Sequence, residues 1–229
     1  MVLLLLNLLR SLISGMRSDR ESVSQDTIFG GNPPPLEGVD HIQRHRYTWP
    51  DNNQYSSSNL RLKGKVDYTL SSMEEGDWEA VRFIYLEGIA TDNATFETAA
   101  PDWGTWDSNH LRECRLVARA GGQVIGWAAL SPVSRRPCYS GVAENSVYVA
   151  GDARGKGVGK ALMEALVKES ERVGIWMLQT SIFPENEASI AIHKAWGFRE
   201  VGYRARISQL RGVWRDTVFM ERRSKVVGV

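Results

Sequence analysis

Apolar and polar positions alternate without any sustained period up to about residue 65 and with a clear one afterwards. Ser18 to Gly64 is rich in Ser, Asn, Pro and Gly, including GGNPPP (Gly30–Pro35) and NNQYSSSN (Asn52–Asn59), so residues 1–65 read as a disordered or weakly ordered extension. Order is expected from Val66, where VDYTL has strand character. It continues in Glu74–Ala90, whose Trp78, Val81, Phe83, Ile84, Tyr85 and Ile89 suit an amphipathic helix. A loop (NATFETAAPDWGTW, Asn93–Trp106) leads to a short helix expected at Ser108–Cys114. Arg115–Leu130 then gives two β-rich runs joined by Gly121-Gly122, a hairpin signal. AENSVYVA (Ala143–Ala150) predicts a strand, Val158–Val173 a helix, Ile175–Phe183 a strand and Asn186–Trp196 a helix. Two closing strands surround EVGYRARI and WRDTVFME. Helices interleaved with strands make an α/β (α+β) domain over 66–222, followed by a short tail at 223–229.

Composition narrows the function classes. A chain of 229 residues with 42% apolar and 24% charged positions suffices for one well-buried domain plus an appendage. Its formal charge of +1 supplies no long-range attraction for nucleic acid, and no basic-aromatic tract replaces it. Cys114 and Cys138 lack CxxC spacing, and His41, His45, His110 and His193 form no cluster with them, so neither a disulfide framework nor a metal site is expected. His41 and His45 stand at i,i+4 spacing, but among turn formers. The apolar run in MVLLLLNLLRSLISGMR falls short of the ~20 residues of a membrane span. It has no basic residue ahead of it, as a secretory signal would; it reads as an extension, with a transit peptide as the alternative. A cytoplasmic location follows, or an organellar one if the segment is a transit peptide.

The most informative stretch is VYVAGDARGKGVGKALMEAL (Val147–Leu166): strand-forming residues, a glycine-rich turn, then an amphipathic helix. Gly155, Gly157 and Gly159 allow successive backbone N–H groups to face a ligand without side-chain obstruction, and the following helix adds the positive end of its dipole. With Arg154 and Lys156 the turn suits a pyrophosphate. Two familiar phosphate loops do not fit. A P-loop needs GxxxxGK[ST], yet Ala161 follows Gly159-Lys160 and Arg154 stands where its first glycine belongs. A dinucleotide turn needs GxGxxG, whereas the run here is GxGxG, with no acidic residue placed to read a ribose.

Arg154, Gly157 and Gly159 do match [RQ]xxGx[GA] between a strand and a helix, and Asn186 opens a later helix that ends in AWGF (Ala195–Phe198). Together these resemble the GNAT superfamily of acyl-CoA N-acyltransferases. NATFE (Asn93–Glu97), RRPCYSGVAENSVYV (Arg135–Val149), IFPENEASIAIHKAWGF (Ile182–Phe198) and RGVWRDTVFME (Arg211–Glu221) further resemble its phosphinothricin and methionine sulfoximine N-acetyltransferases. The resemblance implies a mixed, mostly antiparallel twisted sheet flanked by helices on both faces. It implies acetyl-CoA as co-substrate, a small amino-acid-like amine as acceptor, and a homodimer. Acetyl-CoA would meet the backbone of Val147, Tyr148 and Val149 as an added strand, its pyrophosphate would lie over Arg154, Gly155, Lys156, Gly157, Val158, Gly159 and Lys160, and Asn186 and Ser189 would also contact it.

Acetyl transfer to an amine needs a group to take the amine proton and an acid for the leaving thiolate. The two-residue period of the strand places Glu144, Ser146 and Tyr148 on one face, making Glu144 the candidate base. A carboxylate of ordinary pKa, ~4.3, is a poor base toward an ammonium, so burial or a water relay would have to assist. Where the superfamily often has a tyrosine acid, this chain has His193, a histidine as in the phosphinothricin enzymes that it resembles. Proton donation, amine deprotonation and plain packing are all open to it. By resemblance Arg136 and Tyr139, with Phe96 and Glu97 on a facing loop, contact the acceptor, Arg136 offering a planar fork to an acidic group.

Overall fold

Regular structure begins close to where the periodic pattern begins. The computed structural model describes residues 67–229. The expectations for the preceding residues (the extension, the targeting alternatives, the His41/His45 pair and the start of the first strand at Val66) lie outside the described residues.

Seven strands and four α-helices follow: β1 (Thr69–Ser72), α1 (Trp78–Ile89), α2 (Trp103–Asn109), β2 (Leu116–Ala120), β3 (Gln123–Pro132), β4 (Val142–Val149), α3 (Val158–Arg172), β5 (Met177–Ile182), α4 (Glu187–Ala195), β6 (Arg199–Leu210) and β7 (Val213–Arg223). They form one sheet in the order β1-β2-β3-β4-β5-β7-β6. Every neighbouring pair is antiparallel except β4 and β5. The closing hairpin inserts its second strand, β7, beside β5 and leaves β6 at the edge.

Each face of the sheet carries its own core. On one face, Leu162, Met163, Leu166 and Val167 of α3 pack with Leu116, Ala128, Leu130, Ala143 and Leu178 of the strands and with Ile190 and Ile192 of α4. On the other, Trp78, Val81 and Ile84 of α1 and Trp106 of α2 pack with Val117, Trp127 and Ala129. This is the mostly antiparallel sheet with helices on both faces. Ile125 interrupts the alternation of β3. Ala118 pairs with Gly126 but Arg119 with Val124, so Ile125 is the extra residue of a bulge and the strand changes facing parity there.

α3 shows the local causes plainly. Val158, Leu162, Met163, Leu166, Val167 and Ser170 line one buried stripe, and Lys168 meets Glu164 at i,i+4 on the outside. Gly174, at φ +86°, ends the helix. Its N–H reaches Glu171 O at 3.2 Å and that of Ile175 reaches Ser170 O at 2.9 Å, the paired bonds of a Schellman stop.

Four details differ from the sequence expectation. β1 starts at Thr69, so Asp67 and Tyr68 lie outside it. Phe83, counted on the apolar face of α1, is 63% exposed. The short helix is α2, not Ser108–Cys114: Asp102 caps it, accepting from Thr105 N at 2.8 Å. The stretch beyond it is organised by the buried Arg115, which donates to Asp107 Oδ1 (2.5 Å), Asp107 O (2.9 Å), His110 O (2.9 Å) and Leu111 O (2.7 Å). A satisfied guanidinium thus replaces helix there. Finally, the residues expected as a separate tail start inside β7. Arg223 holds Trp176 O and Val227 O, each at 2.9 Å, and Ser224 Oγ reaches Glu171 Oε1 at 2.9 Å.

Candidate active site

β4 and β5 are paired only through Val142↔Met177, Ala143↔Leu178 and Glu144↔Gln179. Beyond Glu144, β4 continues to pair with β3 as far as Val149, while β5 follows β7 through Ile182. The two parallel strands therefore part, and the edge of β4 from Asn145 to Val149 that faces β5 has no ladder partner. Main-chain donors and acceptors on such an edge suit an extended, amide-bearing ligand.

The glycine turn lies past the end of this edge. Gly155 and Gly157 have φ of +72° and +87°, in the left-handed region, and a side chain added at Gly155 would meet nothing within 4 Å. No side chain caps α3, so its first N–H groups, at Val158, Gly159 and Lys160, have no intrahelical acceptor. Gly159 serves packing instead: an added Cβ would stand 3.3 Å from Ile192 Cδ1 and 3.4 Å from Val149 Cγ2. Val158 is buried, so only its backbone can reach a ligand. Arg154 folds back to donate from Nε to Val149 O at 3.1 Å, tying the turn to the strand end. Lys156 and Lys160 are exposed. The open strand edge and the uncapped, glycine-lined helix start fit a ligand that carries amides along one part and phosphates at the other.

The two faces of β4 carry different chemistry. On the α3 and α4 side, Asn145 Nδ2 stands 2.8 Å from His193 Nε2, and His193 Nδ1 stands 2.7 Å from Ser189 O. A carbonyl only accepts, so Nδ1 bears the proton and Nε2 accepts from the amide: the ring is a neutral bridge between α4 and β4. Burial lowers the His193 pKa, partly offset by the Ser189 bond. Ser189 N in turn donates to Asn186 Oδ1 at 3.2 Å, making Asn186 the cap of α4.

Glu144 lies half-buried on the opposite face, so the sheet separates it from His193. Further along that face, the Tyr148 ring stacks on Trp127 (4.7 Å, 15°) and meets Tyr85 edge-on at 5.0 Å. Gly88 makes room for it, since a Cβ there would be 2.7 Å from the Tyr148 ring. Burial raises the Tyr148 pKa, and the Tyr85, Glu97 and Glu144 charges add to the rise. Burial, then the Glu97 charge, pushes the Tyr85 phenol up to about 12, while Thr95 and Tyr148 partly oppose it. Glu97 thus acts on both phenols and Glu144 on Tyr148. Phe96 packs edge-on against Phe183 at 4.7 Å. Arg136 and Tyr139 are exposed in the turn before β4, the guanidinium 5.7 Å from the ring centroid. Trp176 seats on Gly141 at the end of that turn; an added Cβ would stand 2.0 Å from its ring.

Sequence reasoning missed Tyr85, Thr95 and Asn145. Tyr85 read as one more apolar helix position; Asn145, a polar residue on the inward phase of a strand, was the one with a usable signal. Among the described residues no group of three His, Cys, Asp or Glu could hold a metal ion, and no helix is long and apolar enough to cross a membrane.

The two depressed imidazoles have a measurable consequence. His110, stacked on Trp106 at 4.1 Å, has its pKa lowered by burial to about 4, and that of His193 is lowered too. For such groups the unfolded chain takes up the proton first. The stability is present above the ordinary value of ~6.5 and is lost as pH falls through the window toward the folded value. The melting temperature is expected to drop between pH 6.5 and 4.5, with a shallower slope in His110→Gln; equal slopes would show that this site does not couple.

A mixed sheet that parts between two parallel strands, with an uncapped, glycine-lined helix start past the opening, defines an N-acyltransferase. Residues 75–198 match the acetyltransferase (GNAT) family, and the chain belongs to that family. It is an N-acetyltransferase of the phosphinothricin acetyltransferase-like group. Phosphinothricin N-acetyltransferase of Alcaligenes faecalis is 32% identical over 165 residues, 67% of this chain and 81% of the relative. The L-methionine sulfoximine/L-methionine sulfone acetyltransferase of Pseudomonas paraeruginosa is 35% identical over 151 residues, 63% of this chain and 88% of the relative. Among solved structures, a GNAT superfamily phosphinothricin acetyltransferase from Sinorhizobium meliloti in complex with acetyl-CoA aligns with a TM-score of 0.65 and 31% identity, covering 70% of this chain and 90% of that one.

Proposed function

We propose that the chain moves an acetyl group from acetyl-CoA to the amino group of a small amino-acid-like acceptor of the phosphinothricin or methionine sulfoximine kind, by direct attack in a ternary complex. The observation that carries the reading is the unpaired β4 edge leading to the glycine turn. Acetyl-CoA supplies the thioester. The backbone of Val147–Val149 pairs with its pantetheine arm, and the N–H groups from Gly155 to Lys160, with Arg154, Lys156 and Lys160, receive the pyrophosphate. Glu144 takes the proton of the attacking amine, directly or through water. Phe96, Glu97, Arg136 and Tyr139 contact the acceptor. We assign His193 and Ser189 to bridging α4 and β4, because both ring nitrogens of His193 already have partners. By resemblance the enzyme is a homodimer, which sedimentation of the full chain checks; its location is cytoplasmic, or organellar if the N-terminal segment is a transit peptide.

A thiol-release assay with acetyl-CoA tests the acceptor class across phosphinothricin, methionine sulfoximine, methionine sulfone, common amino acids and a peptide N-terminus. Turnover of the peptide alone would overturn the small-acceptor reading and keep the acetyltransferase. Arg136, exposed and available for a charge-assisted pair, gives a sharper test. Arg136→Ala is expected to raise the acceptor KM about ten- to a hundredfold while sparing acetyl-CoA affinity, and lysine to rescue only in part. Equal treatment of an amino acid and its decarboxylated amine by wild type and both variants would remove the role of the acidic group.

A further inference from the structure

The loop after α1 carries Thr95, Phe96 and Glu97, yet residues 93–97 make no backbone–backbone hydrogen bond among the described residues. Asn93 N donates to Thr91 Oγ1 at 3.2 Å and Glu97 N to Thr95 Oγ1 at 3.0 Å, and side chains from elsewhere in the chain tie the loop to the rest of the domain. Arg215, on β7, donates from Nη1 to Asp92 O at 2.8 Å, and Asn186, at the start of α4, donates from Nδ2 to Asn93 O at 3.0 Å. Two consecutive carbonyls are thus held by donors from two different elements. Asp92 has φ +50°, a left-handed conformation that such tethers help to hold. The same guanidinium lies 4.2 Å from the centroid of Phe183, whose ring meets Phe96 edge-on at 4.7 Å. Arg215, Phe183 and Phe96 thus touch in series, and Glu185 lies 3.3 Å from Arg215 Nη2.

We infer that Arg215 is a positioning residue that, with Asn186, clamps the loop Asp92–Glu97 as a wall of the acceptor site. The inference rests on the acceptor role proposed above for Phe96 and Glu97. Arg215 suits the task where lysine would not: a planar group can stack on Phe183 while aiming fixed N–H bonds at Asp92 O and Glu185. Releasing the loop leaves the β4 edge and the glycine turn in place, so acceptor binding and acetyl-CoA binding separate. A displacement of about 1 Å in a positioning group can cost up to about a hundredfold.

The test compares full-length wild type, Arg215→Ala and Arg215→Lys by acceptor KM and kcat, acetyl-CoA titration calorimetry, thermal melting and amide exchange. Arg215→Ala is expected to raise acceptor KM about tenfold or more, leave acetyl-CoA Kd within about twofold, and speed exchange at residues 93–97 without change in β2–β4. Arg215→Lys should fall between. Asn186→Asp, which keeps the cap acceptor for Ser189 N but loses the donor to Asn93 O, should speed exchange in the same loop. Unchanged exchange at 93–97 in Arg215→Ala overturns the clamp. So does uniformly faster exchange with acceptor KM and acetyl-CoA Kd moving together, which marks a general structural role. If wild type acetylates no acceptor, the functional reading fails instead, and the exchange measurement still decides the clamp.

Discussion

Glu144→Gln is expected to lower kcat for acetyl transfer by about a hundred- to ten-thousandfold, the usual contribution of a positioned general base, with acetyl-CoA affinity nearly unchanged. Glu144 is the last residue of β4 that pairs with β5, so it stands where the strands part. It shares a strand face with Ser146 and Tyr148, and its charge adds to the rise in the Tyr148 pKa. Glutamine keeps the shape and removes the proton acceptor. Activity of the variant should therefore climb with pH as the acceptor amine loses its proton unaided. Steady-state rates across pH, with a melting curve to show that the fold persists, make the measurement. A kcat within threefold of wild type at neutral pH would remove Glu144 from the proton transfer.

Gly157→Asp should weaken acetyl-CoA binding by about a hundredfold or more in calorimetric titration. Gly157 precedes α3 at φ +87°. Of the residues with side chains, aspartate tolerates this left-handed conformation better than most, so the fold should survive the change. Nothing lies closer than 4.0 Å to an added Cβ, and that nearest atom is the Tyr68 hydroxyl, so the loss would not come from a clash. It would come from a carboxylate placed among N–H groups that would otherwise meet phosphate, where like charges a few ångströms apart repel strongly. Gly157→Ala separates the two causes, because it carries backbone strain without charge and should lose far less. Unchanged acetyl-CoA affinity in a folded Gly157→Asp would place the pyrophosphate elsewhere.

Much of the fold was legible because one face or stripe of each element repeats at its own period. α3, with buried Leu162, Met163, Leu166 and Val167, and the hairpin around Gly121-Gly122 lie where the pattern places them. The glycine turn was legible for a related reason: Gly155 and Gly157, two positions needing positive φ within three residues, restrict the residue type, and that restriction is local. The short helix was misplaced because Asp102 caps it earlier in the chain, while Arg115, bonded to Asp107, His110 and Leu111, holds the stretch beyond it out of helix.

By itself the sequence determined the class of fold, the phosphate-suited turn and the face of β4 that carries Glu144, since each follows from patterns read within single elements and their order along the chain. Tertiary structure decided what depends on register between segments distant in the chain. It alone puts β7 between β5 and β6, parts β4 from β5 after Glu144, sets His193 across the sheet from Glu144, and carries Arg215 to the loop at Asp92. Pairing of this kind is chosen by the packing of two whole faces at once, and no local pattern encodes it.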